Sequence, residues 1–148
     1  SAQIIVEHVV NGVKLAEENN LPVIIRDFIL THHGHGMAKY FYIKYQNEHP
    51  DEIVDKEPFT YPGPNPYTRE QAILMMADSC EAASHSLKDY SDESITKLVN
   101  QIIDGQVDAG FFTEAAITFR DISEAKTVLI DRLKAIYHTR IKYPKLNR

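Results

Sequence analysis

Three separate stretches of this chain carry side chains suited to holding a cation. His8 lies one turn after Ile4 and one turn before Gly12, on the apolar face of a helical pattern. A glycine at that spacing leaves room for something bulky beside the imidazole. In "THHGHG", His32 extends the inward face set by Phe28 and Ile29; His33 is turned about 100° away, and His35 lies past the helix end. Asp78 stands in "TREQAILMMADSCEAASHSL". There Leu74 and Met75 add apolar cover to the stripe of Ile73, Met76, Ala77 and Cys80, so the first half of the helix is expected to be buried nearly all round. A carboxylate taken out of water costs several kcal/mol unless a cation or strong donors meet it.

Taken singly, His8 also fits a core histidine bonded to a carbonyl, and "THHGHG" also fits a solvated cluster favoured by the helix dipole. Together, two inward histidines and a buried aspartate on three helices point to a divalent ion. Imidazole and carboxylate suit Fe, Mn, Zn or a similar metal, and a single cysteine excludes a thiolate site. Ligands scattered this widely do not make a finger-type structural site, whose ligands come in close pairs. Further along the same helix, Glu81 is placed to accept from a ligating histidine and His85 to meet a phosphate, unless both form a polar rim. Lys39 and Lys44, among Tyr40, Tyr42 and Tyr45, offer charge and stacking to a nucleotide, or snorkel from an amphipathic helix.

The elements that must position these groups are helices. Ile4, Ile5, Val9, Val13 and Ala16 line one side of a first helix ending near Asn19-Asn20. Pro22 opens a second, with Ile25, Phe28 and Ile29 inward, that stops at Gly34. A third segment covers about Met37 to Gln46. A loop from roughly His49 to Tyr67 follows, with five of the seven prolines and no obvious element of its own, a kind of loop that usually covers a site. Thr68 and Gln71 have capping-box spacing for the helix that carries Asp78. Ser91 or Asp92 caps the next, with Ile95, Leu98, Val99 and Ile102 inward and Gly105 and Gly110 punctuating its end. "GFFTEAAITFRDI" is undecided between extended chain and a short helix. Asp121 with Glu124 is expected to cap a last helix running to about Thr139, with Ile122, Ala125, Val128, Leu129, Leu133 and Ile136 inward. The fold class is all-α.

Size and composition agree with one domain. The 148 residues are 43% hydrophobic and 25% charged, so the chain is neither disordered nor fibrous. A formal net charge of -5 argues against broad nucleic-acid binding. No apolar run approaches the roughly 18 residues of a membrane span. Cys80, on the apolar face of its helix, reads as a small core residue.

The order of motifs resembles one family. "IIVEHVVNGVKLAEENNLP", "DFILTHHG", "KYFYIKY", "FTYPGPNPYTREQAILMMADSCEAA" and "GQVDAGFFTEAAITFRDI" resemble the HD hydrolase domain of PgpH-type seven-transmembrane receptors, over almost the whole chain. The resemblance implies an HD-type helical bundle with a two-metal centre, described with iron or manganese, that hydrolyses cyclic di-AMP to pApA. It implies His8, His32, His33 and Asp78 as metal ligands, helix phase favouring His32 over His33. It implies a cytoplasmic domain of an integral membrane protein.

One part of the family pattern is missing. No histidine here is followed by aspartate; the residues after the seven histidines are Val, His, Gly, Gly, Pro, Ser and Thr. The family's earlier histidine and its bridging His-Asp pair belong upstream of His8, and arginine is common where this chain has His85. The expectation is therefore a partial HD domain over 1–148, truncated at its N-terminus, with the membrane region absent and little or no activity alone. The ligands present are expected to hold one adventitious ion such as Zn or Ni, and the uncovered apolar face to pair with a second copy. The alternative is a degenerate, non-catalytic HD module for nucleotide binding or dimerisation.

Overall fold

The computed structural model describes residues 2–141 and 146–147, and among them six α-helices carry the fold: α1 (Ala2–Glu18), α2 (Val23–Thr31), α3 (Lys39–Glu48), α4 (Arg69–Ser84), α5 (Asp92–Asp108) and α6 (Phe119–Ile141). No strand forms among the described residues; an isolated bridge joins Met37 and Thr60.

The core lies between α4, α5 and α6. Ala72, Met75, Met76 and Cys80 of α4 meet Ile95, Val99 and Ile103 of α5 and Ala125, Leu133 and Tyr137 of α6, with Phe112 closing the α5–α6 connection. Two sequence-encoded caps set the entries. Thr68 Oγ1 accepts from Gln71 N while the Gln71 side chain accepts from Thr68 N, the reciprocal capping box expected for α4. Ser91 caps α5 by accepting from Ser94 N. Cys80 is fully buried and its thiol is pushed up to about 11 by desolvation, in keeping with a core residue.

Several sequence expectations are corrected by the packing. Leu74 is 40% exposed, so α4 is not buried all round: its core stripe runs through Ala72, Met75, Met76 and Cys80, and Leu74 falls outside it. On α6 the inward stripe descends through Ala125, Leu129, Leu133 and Tyr137 in four-residue steps, so Val128 and Ile136, each about 100° off it, face outward. The cap of α6 is Thr118, not Asp121: Thr118 Oγ1 accepts from Asp121 N, and Asp121 Oδ2 accepts from Thr118 N. Gly105 lies inside α5; Gly110, at φ +79°, marks the turn after it. "GFFTEAAITFRDI" resolves into turns, a short extended link and the start of α6.

α1 and α2 form a second, more open unit. Val9 and Ala16 are buried between them, yet Ile4, Leu15, Val23, Ile24 and Ile25, of which Ile4 and Ile25 were expected inward, are exposed. The role expected of Gly12 is also revised. A Cβ there would come within 2.9 Å of Ile29 Cγ2, so the space it leaves is used by α2 and brings the two helices close. The Pro-rich loop has an element after all, a 3₁₀ turn at Glu57–Phe59 on which α1 and α3 pack. Ala38 N donates to Phe59 O and Tyr61 N to Gly36 O, both at 2.8 Å, which ties the loop to the chain leaving α2. No described helix is long and apolar enough to cross a membrane.

Candidate metal centre

His8 projects from the middle of α1, and His32 is the C-cap of α2, with its N–H bonded to Phe28 O. The close approach at Gly12 and Ile29 brings these two positions face to face. Each ring places Nδ1 against a carbonyl of its own helix: His8 against Ile5 O, and His32 against Ile29 O at 2.6 Å. A ring nitrogen beside a carbonyl oxygen must carry the proton, because two lone pairs repel. That assigns Nδ1–H to both rings and, in the neutral imidazoles that a metal requires, leaves both Nε2 atoms as acceptors. These Nε2 atoms are 3.3 Å apart. Two acceptors at that distance do not bond each other; they suit a shared cation. Two nitrogens on one ion, with bonds of about 2.0–2.1 Å, stand roughly 2.9–3.4 Å apart at octahedral or tetrahedral angles. Donating the second ring N–H to a carbonyl is also the usual way a ligating histidine is oriented.

His33 completes the group: one ligand atom from each of His8, His32 and His33 lies within 4.8 Å of the others. Its ring stacks on Tyr61, with centroids 4.3 Å apart and planes at 16°. Tyr61 is held there by the Gly36 bond and also meets His8 edge-on at 5.9 Å. The turn after His33 needs its glycine. Gly34 has φ +49°, and a Cβ on it would meet Asn65 Oδ1 at 2.6 Å and Met75 Cε at 2.8 Å. Asn65 Oδ1 in turn accepts from His35 N at 2.8 Å, so the "YPGPNP" loop forms a wall of the site. Burial first, then the proximity of the His32 and His8 rings, holds His33 down to about 4, so it is neutral at physiological pH. Burial first, then the charge of Asp78, raises the Tyr61 hydroxyl.

Asp78 lies beside His33, outside the group of ligand atoms that the three imidazoles form. Its Oδ2 is 3.7 Å from His33 Nδ1, beyond a direct hydrogen bond, and its side chain is 43% exposed. The expected buried carboxylate is therefore half-exposed, as is Leu74 one turn before it on α4. His8, expected on an apolar face, is likewise exposed, and its ring opens to the cluster rather than to the core. Both positions of the His-His pair join the cluster; helix phase favoured His32, but a turn just past the helix end brings His33 in as well. Glu81 and His85 bond each other at 2.6 Å on the exposed side of α4. Lys39 lines a cleft next to His33; Lys44 is exposed on α3 and does not line it.

Sequence reasoning did not single out Tyr61 as a site residue. The only signal was its place in the "FTYPGPNP" run, whose backbone pairing with Gly36 cannot be read from periodicity.

Known proteins share this arrangement of helices. The chain is 37% identical over all 148 residues to the cyclic-di-AMP phosphodiesterase PgpH of Bacillus subtilis. It is 40% identical over 144 residues to PgpH of Listeria monocytogenes. The crystal structure of the L. monocytogenes PgpH HD domain in complex with cyclic-di-AMP superposes with a TM-score of 0.85 at 38% identity, covering 93% of this chain. The chain is similar, over most of its length, to part of the PgpH HD domain. It spans 20% of the length of these curated PgpH relatives and 63% of the solved HD-domain chain. No protein-family model matches it. The histidine cluster belongs to an HD-type fold, and its donor set fits a divalent metal.

Proposed function

We propose that this chain is the C-terminal portion of an HD hydrolase domain that converts cyclic di-AMP to the linear dinucleotide pApA. The observation that carries the reading is the pair of bare Nε2 atoms of His8 and His32, set 3.3 Å apart with His33 beside them, in a homologue of phosphodiesterases. His8, His32, His33 and Asp78 would hold the ion, with iron or manganese in the intact domain and zinc or nickel as adventitious guests of this chain. When bound, such an ion supplies Lewis-acid neutralisation of phosphoryl charge. The chain's own residues do the rest: the carbonyls of Ile5 and Ile29 orient two imidazoles, Tyr61 holds the plane of the third, and burial keeps His33 unprotonated and able to ligate.

The His-Asp pair that the family uses to bridge its metals is not among these residues, and we assign it to the part of the domain upstream of His8. That part would also cover Ile4, Leu15, Val23 and Ile24, the apolar residues left exposed on α1 and α2. In the isolated chain the same face is open to a second copy. The parent is read as a membrane protein with this domain on its cytoplasmic side.

Manganese-dependent conversion of cyclic di-AMP to pApA, assayed for this chain and for an N-terminally extended one, tests the reading. The extended chain should turn over and this one scarcely at all. Comparable turnover by both, or none by the extended chain, overturns it.

A further inference from the structure

A cleft of about 430 Å³ opens beside the cluster, lined by His33, Tyr61, Ser79, Gly105, Gln106 and Phe111 among others. Ser79 follows Asp78 directly on α4, so the cleft adjoins the site already described. Gln106, on α5, is only 9% exposed; its Nε2 donates to Ser79 Oγ at 2.8 Å, while its Oε1 is buried with no hydrogen-bond partner. Such orphaned acceptors are rare in native folds and call for a partner. A second, independent feature adjoins it. Gly105 sits inside a helix, where glycine is unfavourable, yet a Cβ there would meet nothing within 4 Å. No neighbour in this chain requires that glycine, and what its missing side chain leaves open is the cleft.

We propose that Gln106 reads the base of the bound nucleotide and selects adenine over guanine; this rests on the phosphohydrolase reading above. A carboxamide offers one acceptor and, with one N–H given to Ser79, one remaining donor. The adenine edge carrying N6 and N7 presents a donor beside an acceptor, the complement of that pair; guanine presents two acceptors there, which sets O6 against Oε1. Oε1 is buried in this arrangement of the side chain, so reading a base requires the carboxamide to turn about its soft terminal torsion as the base enters. Ile102 and Phe111 supply apolar walls for the ring, and Gly105 leaves space for it. Gln106 is a specificity-determining residue and has no part in the phosphate chemistry.

The test titrates the N-terminally extended chain, loaded with manganese, with cyclic di-AMP, cyclic di-GMP and cyclic di-IMP, whose hypoxanthine replaces the N6 amine by an oxygen. Wild type should bind the guanine and hypoxanthine ligands about tenfold more weakly or worse. Gln106→Leu should bring all three within about twofold of one another while leaving manganese affinity unchanged. Gly105→Ala should weaken cyclic di-AMP without lowering the thermal midpoint, since the helix gains propensity as the cleft narrows. Equal binding of cyclic di-AMP and cyclic di-IMP by wild type overturns the proposal, even if Gln106→Leu fails to fold. An adenine preference that survives Gln106→Leu overturns it too. If cyclic di-AMP does not bind at all, the phosphohydrolase reading fails and this one falls with it; binding without base selectivity sinks this one alone.

Discussion

The two regions that meet at the histidine cluster are held together differently. The α4–α5–α6 bundle has a continuous core in which Met76, Ile95, Val99 and Ile103 are completely buried. α1 and α2 bury Val9, Ala16 and Thr31 but leave Ile4, Leu15, Val23 and Ile24 largely exposed. The three imidazoles stand on the weaker region and the carboxylate on the stronger one. A site that straddles such a boundary gains affinity only if the loose side is brought into register, so an ion or a covering segment should stabilise α1 and α2 more than the bundle.

Four measurements test that contrast. Ile95→Ala, at the centre of the bundle, should lower unfolding free energy by about 3–4 kcal/mol in urea. Val9→Ala should cost clearly less, because its surroundings can collapse; equal losses would mean that the two regions are equally well packed. Next comes the ion. Manganese or zinc at about 100 times its dissociation constant should add about 2.7 kcal/mol. Hydrogen exchange should slow mainly in α1 and α2; protection confined to α4–α6 would place the ion elsewhere. Gly12→Val must push α1 from Ile29 and should cost roughly 2 kcal/mol by overpacking. It should also weaken metal binding, while Thr68→Ala, a loss of about 1 kcal/mol at the cap of α4, should leave metal binding intact.

The smallest effect is a pH slope. His33 is held at about 4, below its ordinary 6.5, so between those values the unfolded chain binds more protons than the folded one. The His33 contribution to stability therefore falls as pH drops from 6.5 toward 4 and is constant above that window. His33→Asn should remove this part of the slope in metal-free urea titrations; an unchanged slope would show that the ring is better solvated than its packing against Tyr61 and His32 implies.

Much of this was legible in the sequence, and the failures share a cause. Helix positions, the Thr68–Gln71 box, the Ser91 cap and the cysteine in the core all follow from contacts within four residues. Leu74, Val128 and Ile136 read as inward from apolarity alone; which side of a helix is buried depends on where its partners lie. At the start of α6, Thr118 and Asp121 both have capping chemistry, and the reciprocal bonds settled which one caps. Asp78 comes beside His33 but is half-exposed, and Leu74, expected to cover that helix, is itself exposed.

By itself, the sequence determined an all-helical chain with imidazoles at 8, 32 and 33 and a carboxylate at 78, because helical period and capping act over a single turn. Only tertiary structure decided that Nε2 of His8 faces Nε2 of His32, that Tyr61 backs His33, and that Gln106 is left with an unpaired oxygen. Each of those depends on the crossing of segments at least 24 residues apart, set by close approaches such as Gly12 on Ile29, and no local pattern encodes that geometry.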